Sequence, residues 1–137
     1  MKQSQPLFQL TPINSGLAPE SKNYKKRFLI RYGDKLQVKA AQEVSFIYAE
    51  GKTVYLVTQS SPLRYIIDHS LEELDTDLLD PECFFRISRK AIIHINALVQ
   101  MKQHSSNRLK LEMLQASDQE LIVSRERVAD FKAWLNQ

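Results

Sequence analysis

The sequence predicts a mainly β fold: antiparallel β-sheets with one short central helix and a C-terminal helix. Three observations predict it. Short runs alternate apolar and polar residues with a period of two and are joined by tight turn signals. A Ser-Leu-Glu-Glu box at Ser70–Glu73 precedes leucines at helical spacing. Near the C-terminus, Val128, Phe131, Trp134 and Leu135 form an apolar stripe with the period of a helix.

Residues 1–23 hold Pro6, Pro12 and Pro19 with Gly16 and several Ser, Gln and Asn, and show no periodicity. They read as a linker or flexible tail ahead of a domain at 24–137. From Arg27 the pattern is that of strands. Arg27–Tyr32 and Lys35–Lys39 flank Gly33-Asp34, a hairpin signal; Val44–Ala49 and Thr53–Thr58 flank Glu50-Gly51-Lys52, a second one. Leu63–Ile67 is a further strand. Ser70 then caps a helix with Leu71, Leu74 and Leu78 on its apolar face, and Asp80-Pro81 stops it.

Phe84–Ser88 returns to strand. Val99–Gln103 and Arg108–Leu114 form a hairpin around His104-Ser105-Ser106-Asn107, and Leu121–Val123 closes the sheet. Ser124 is placed to cap the last helix. The Val128, Phe131, Trp134 and Leu135 stripe belongs to the core, together with Phe85 and Leu74, since such stripes pack against a sheet far more often than they bind a ligand.

At 137 residues the chain suffices for one domain with a core that needs no disulfide or metal. The one cysteine, Cys83, sits beside Phe84 and Phe85 and reads as a small buried hydrophobe. The start, Met1–Gln5, lacks the apolar stretch of a signal peptide and no run is long enough to span a membrane, so a cytoplasmic protein without membrane contact is expected. His69, His94 and His104 are far apart, no carboxylate pair or Cys/His cluster has ligand spacing, and the three glycines build no phosphate loop. These features point away from an enzyme, and no metal or cofactor is expected. His94 reads as a core histidine.

The net charge of +3 is small, but the charges are segregated. Asp68–Glu82 holds seven acids and no Lys or Arg. Phe84–Leu111 holds six basic residues and no acid, and Lys22–Lys39 holds seven against the single Asp34. A surface so divided can turn its basic parts to a polyanion and its acidic part away.

Two basic knots lie beside apolar runs: Phe84-Phe85-Arg86-Ile87-Ser88-Arg89-Lys90-Ala91-Ile92-Ile93, and Val123-Ser124-Arg125-Glu126-Arg127-Val128. Guanidinium forks and hydroxyls on a rigid base are suited to phosphates and to the edge of guanine. In this order and spacing, and with Phe46-Ile47-Tyr48-Ala49-Glu50-Gly51-Lys52-Thr53 upstream, they resemble the LytTR family of bacterial DNA-binding domains. The resemblance spans Tyr24–Gln137.

The resemblance implies an elongated set of antiparallel sheets and sequence-specific binding of double-stranded DNA by a transcription regulator, as the output domain of a two-component response regulator. Connecting loops, in place of a recognition helix, would enter the major groove. Carried over by position, they are Lys52 and Thr53, then Ser88, Arg89 and Lys90, then Ser124, Arg125 and Arg127. A second copy on repeated half-sites about one turn apart is the implied partner besides the duplex. The alternative reading is a protein-interaction module that binds an acidic partner through the same basic loops.

Overall fold

The computed structural model describes residues 23–115 and 117–137; the tail expected at 1–23 lies outside them except for Asn23. Among the described residues, ten strands build two antiparallel sheets. They are β1 (Arg27–Tyr32), β2 (Lys35–Ala40), β3 (Val44–Glu50), β4 (Thr53–Thr58), β5 (Arg64–Ile67), β6 (Phe84–Ser88), β7 (Ala91–His94), β8 (Leu98–His104), β9 (Arg108–Met113) and β10 (Leu121–Val123). Seven form one sheet in the order β2-β1-β5-β4-β3-β7-β6, and three form the other in the order β10-β9-β8. Leu121–Val123 thus closes a second sheet.

The strands follow the alternation closely. In β4, Leu56 belongs to one apolar cluster and Val57 to the other. In β3, Val44 and Ile47 face one side while Phe46 and Tyr48 face the other. Val44 and Phe46 would share a side in a regular strand; a bulge between them shifts the register and turns Val44 over. The central strands are therefore buried on both faces. The first cluster, around Phe28, Ile30, Ile47, Leu56 and Ile92, packs under the central helix, and the second, around Phe46, Ile87, Ile93 and Phe131, packs under the small sheet and the C-terminal helix.

The central helix differs from its prediction. A single α-helical turn, α1 (Leu71–Glu73), widens over Leu74–Leu78 into π-type spacing, closed by the Leu79 N–H on the Leu74 carbonyl at 2.9 Å. Its start is as expected. Ser70 Oγ accepts from the Glu73 N–H and the Glu73 carboxylate accepts from the Ser70 N–H, both at 3.1 Å. The latter bond, aided by His69, holds the Glu73 carboxyl below the usual carboxylate range. The wider turn keeps Leu71 and Leu74 buried and leaves Leu78 half-buried.

Strand β7 was seen in the sequence only as an apolar run, because four residues buried throughout carry no alternation. At the C-terminus, α2 (Val128–Leu135) buries Phe131, while Trp134 and its partner Phe85 are half-buried rather than deep in the core. The Phe85 ring lies 5.3 Å from Phe131 and 5.2 Å from Trp134. The Trp134 indole N–H reaches out of this cluster to the Pro81 carbonyl at 2.7 Å, tying α2 to the end of the acidic segment. A half-exposed indole is the consequence.

Candidate nucleic-acid interface

Strand pairing sets several turns side by side at one end of the large sheet. The β6–β7 turn carries Ser88, Arg89 and Lys90, and the Ala49 N–H bonds the Lys90 carbonyl at 2.9 Å, fixing this turn against the end of β3. The adjoining β3–β4 turn carries Gly51 and Lys52. Its tight reversal depends on Gly51 at φ +62, where other side chains are strained.

The third basic segment arrives from the other sheet. Ser124 is bonded to β6: its N–H donates to the Ile87 carbonyl at 2.9 Å and its hydroxyl to the same oxygen at 3.4 Å. The expectation that Ser124 caps the last helix is therefore overturned. Its hydroxyl is turned toward β6, it makes no side-chain cap, and a 3-10 turn over Arg125–Arg127 leads into α2. What Ser124 does is join the two basic knots.

A cleft of about 660 Å³ follows from this joint, lined by Ser88, Arg89 and Lys90 on one side, Ser124 and Glu126 on the other, and Glu50. Beside it a second hollow of about 420 Å³ is lined by Ser88, Ser124, Arg125 and Glu126 with Ser106 and Arg108. Lys52 and Thr53 share neither. They line a groove of about 370 Å³ with Arg31, Ile66, Asp68 and His69, on the far side of the β3–β4 tip.

The basic side chains divide into held and free. Arg86, only 13% exposed, donates from Nε to the Ser88 carbonyl at 3.1 Å, from Nη2 to the Arg89 carbonyl at 2.9 Å, and from Nη1 to Glu72 at 2.8 Å. Its guanidinium thus holds the backbone of the turn while Glu72 and, at 3.9 Å, Asp75 neutralise it. Arg127 is also engaged, donating to the Arg86 carbonyl at 3.2 Å. By contrast Lys52, Arg89, Lys90 and Arg125 are exposed, and among the described residues their side chains make no hydrogen bond or ion pair. Ser88 Oγ accepts from the Lys90 N–H at 3.1 Å, which stiffens the turn between the two free cations.

Sequence reasoning missed Arg108. Ser106 and Asn107 both adopt positive φ, near 61 and 60, which reverses the chain between β8 and β9. Arg108 follows at once, and its guanidinium is pinned by the Ser105 carbonyl at 3.0 Å and hydroxyl at 2.9 Å. The Ser-Asn turn was legible; which cleft it would face was not. Among the described residues no group of three His, Cys, Asp or Glu side chains could hold a metal ion, and no helix is long and apolar enough to cross a membrane.

Comparison with known proteins agrees with this architecture. The sequence pattern of the LytTr DNA-binding domain matches residues 34–136. Among solved structures, the chain is similar to the LytTr DNA-binding domain of a protein from Bacillus cereus described as a methyl-accepting/DNA response regulator, with a TM-score of 0.71. The two share 21% identity over 82% of this chain and 99% of that one. Compared with the curated proteins, the chain matches none. The match across residues 34–136, on two antiparallel sheets with two short helices, establishes that the chain belongs to the LytTR family of DNA-binding domains.

Proposed function

We propose that this chain reads specific double-stranded DNA sequences as the output domain of a response regulator, with the turn-bearing end of the large sheet as the contact surface. The observation that carries this reading is the Ser124–Ile87 joint, with the free cations Arg89, Lys90 and Arg125 gathered around it. Cations on turns whose backbone is already fixed have only side-chain freedom to lose on meeting phosphate, and the planar fork of a guanidinium can meet the O6/N7 edge of a guanine with two hydrogen bonds.

The roles differ by residue. Arg89 and Arg125 are the base-reading candidates and Lys90 a phosphate contact. Ser88 and Ser124 shape the turns. Lys52 and Thr53 extend the surface past the β3–β4 tip toward a neighbouring stretch of duplex. Arg127, tied to the Arg86 carbonyl, supports the surface and adds positive charge to it. Glu126, exposed between Arg125 and Arg127, disfavours a phosphate there and leaves Arg125 to reach for a base. A second copy on a repeated half-site would occupy the same face of the duplex one turn away.

Titration of the chain with duplex DNA at several salt concentrations tests the proposal. Counterion release is expected to make log K fall steeply with log salt, Lys90→Ala is expected to flatten the slope by about one, and Arg89→Ala is expected to narrow the gap between specific and non-specific duplexes. A flat salt response, or a slope indifferent to Lys90→Ala together with an unchanged gap in Arg89→Ala, would remove this turn from the interface.

A further inference from the structure

The β1–β2 hairpin is apolar on both faces. One face is core: Phe28 and Ile30 are fully buried. The opposite face carries Leu29 directly across from Val38, and Arg31 across from Leu36. Leu29, Val38 and Leu36 are 61%, 60% and 64% exposed. A strand pair with one solvated face ordinarily places polar residues there, and a contiguous exposed apolar group marks a surface that meets something.

The surroundings state the chemistry of what it meets. Arg27 and Arg31 project from β1 on the same side as Leu29, both exposed, and neither forms an ion pair among the described residues. Asp68 lines the groove beside Arg31 without pairing with it. The lysines of β2 do not shield the apolar residues. Lys39 pairs with Phe28 in register, so it lies on the other face, with its ammonium 5.4 Å from the Tyr65 ring. The result is an apolar centre with two guanidiniums that form no ion pair at its rim, beside an outer strand, β2, whose far edge has no neighbour in the sheet among the described residues.

We propose that this face of β1–β2 docks a partner protein through an amphipathic segment with an apolar centre and an Asp/Glu rim. Charge complementarity selects among the possible occupants. A second copy meeting this face with its own would set Arg27 and Arg31 against the same residues, and like charges across an interface are repelled. Residues 1–22 contain one acid, Glu20, against Lys2 and Lys22, and offer no acidic rim. Duplex DNA would satisfy the guanidiniums but leave Leu29, Leu36 and Val38 without apolar contact. Leu36 and Val38, on the outer strand β2, lie at the sheet edge opposite the β6–β7 turn, between five and six strand spacings or roughly 25 Å away, so the apolar centre can hold a partner while that turn holds a duplex; Arg31, nearer the Lys52 groove, lies between the two.

Panning short random displayed peptides on the 137-residue chain tests this, with Leu36→Thr/Val38→Thr and Arg27→Glu/Arg31→Glu as comparison proteins. Threonine is β-branched and suits exposed strand positions, so the fold is expected to survive, as circular dichroism would verify. Enriched peptides are expected to carry Asp or Glu beside Leu, Ile or Phe. Each double variant is expected to weaken their binding about tenfold or more, and Leu36→Thr/Val38→Thr, which leaves every charge in place, is expected to keep duplex affinity within about twofold of wild type. Absence of enrichment, or enriched peptides indifferent to both variants, would overturn the proposal. So would loss of duplex binding in the Leu36→Thr/Val38→Thr protein, self-association abolished by either variant, or enrichment seen only after residues 1–22 are deleted. A failure of DNA binding in the wild type would bear on the proposed function and leave this result standing, because the peptide and duplex readouts are separate.

Discussion

Arg86 reaches over its own turn to hold the carbonyl of Arg89, with Nη2 and oxygen 2.9 Å apart. The two arginines of the Arg-Ile-Ser-Arg motif therefore have opposite tasks: one guanidinium is spent on backbone and on Glu72, which frees the other to point outward. A fixed backbone is what gives Arg89 a direction.

Removing that support is expected to be costly twice. Arg86→Ala leaves the Ser88 and Arg89 carbonyls and Glu72 without their donor and is expected to lower stability by about 1–3 kcal/mol in urea unfolding, with weaker duplex binding. Arg86→Lys is expected to restore little of either, because an ammonium lacks the planar fork that serves three acceptors. Full recovery by lysine would show that only the charge matters.

Arg89→Ala is expected to behave in the opposite way. Its side chain is exposed and unpaired, so the thermal midpoint should hardly move while specific binding weakens by about 1–3 kcal/mol. A large loss of stability with unchanged affinity would make Arg89 structural.

Trp134→Ala tests the second core. The ring packs on Phe85 and Phe131 but is half-buried, so the expected cost is near the lower end of the roughly 3–5 kcal/mol seen for buried aromatics. Trp134→Phe keeps the ring contact and removes the bond to the Pro81 carbonyl, and is expected to cost about 1 kcal/mol. Calorimetric melting distinguishes the two. An alanine variant as stable as wild type would contradict the packing.

His94 gives the pH dependence a sign. The side chain is buried, its Nδ1 accepts the Asn96 N–H at 3.0 Å, and its ring stands edge-on to Phe84 at 4.6 Å. Burial pushes its pKa below the ordinary 6.5. The unfolded chain then binds a proton that the native state refuses, so this contribution is fully present above pH 6.5 and is lost as pH falls below it. His94→Asn retains an acceptor for Asn96 and is expected to flatten the fall in urea midpoint on acidification. An unchanged pH profile would show that His94 is not the group responsible.

Much of the fold was legible because it is local. Strand alternation, the Gly33-Asp34 and Gly51 turns and the Ser70–Glu73 box each need only a few neighbouring residues. The features that were not legible are bonds between distant residues. Ser124 was expected to serve its own helix, but its partner Ile87 lies 37 positions away, and no local pattern distinguishes the two uses of one hydroxyl. The same holds for Arg127 on the Arg86 carbonyl, and for Arg108, whose neighbours across the hollow come from β6 and β10. The π-widened turn at Leu74–Leu78 escaped for a different reason: its leucines fit α-helical spacing as well.

The most direct test of the central claim is the selection of bound sites from random duplexes by the wild-type chain and by Arg125→Lys. Guanine reading by the free Arg125 guanidinium is expected to yield a defined site from the wild type and a site relaxed at one base position from the lysine variant. Recovery of no preferred sequence by the wild type, with all duplexes bound alike, would contradict specific reading by this surface.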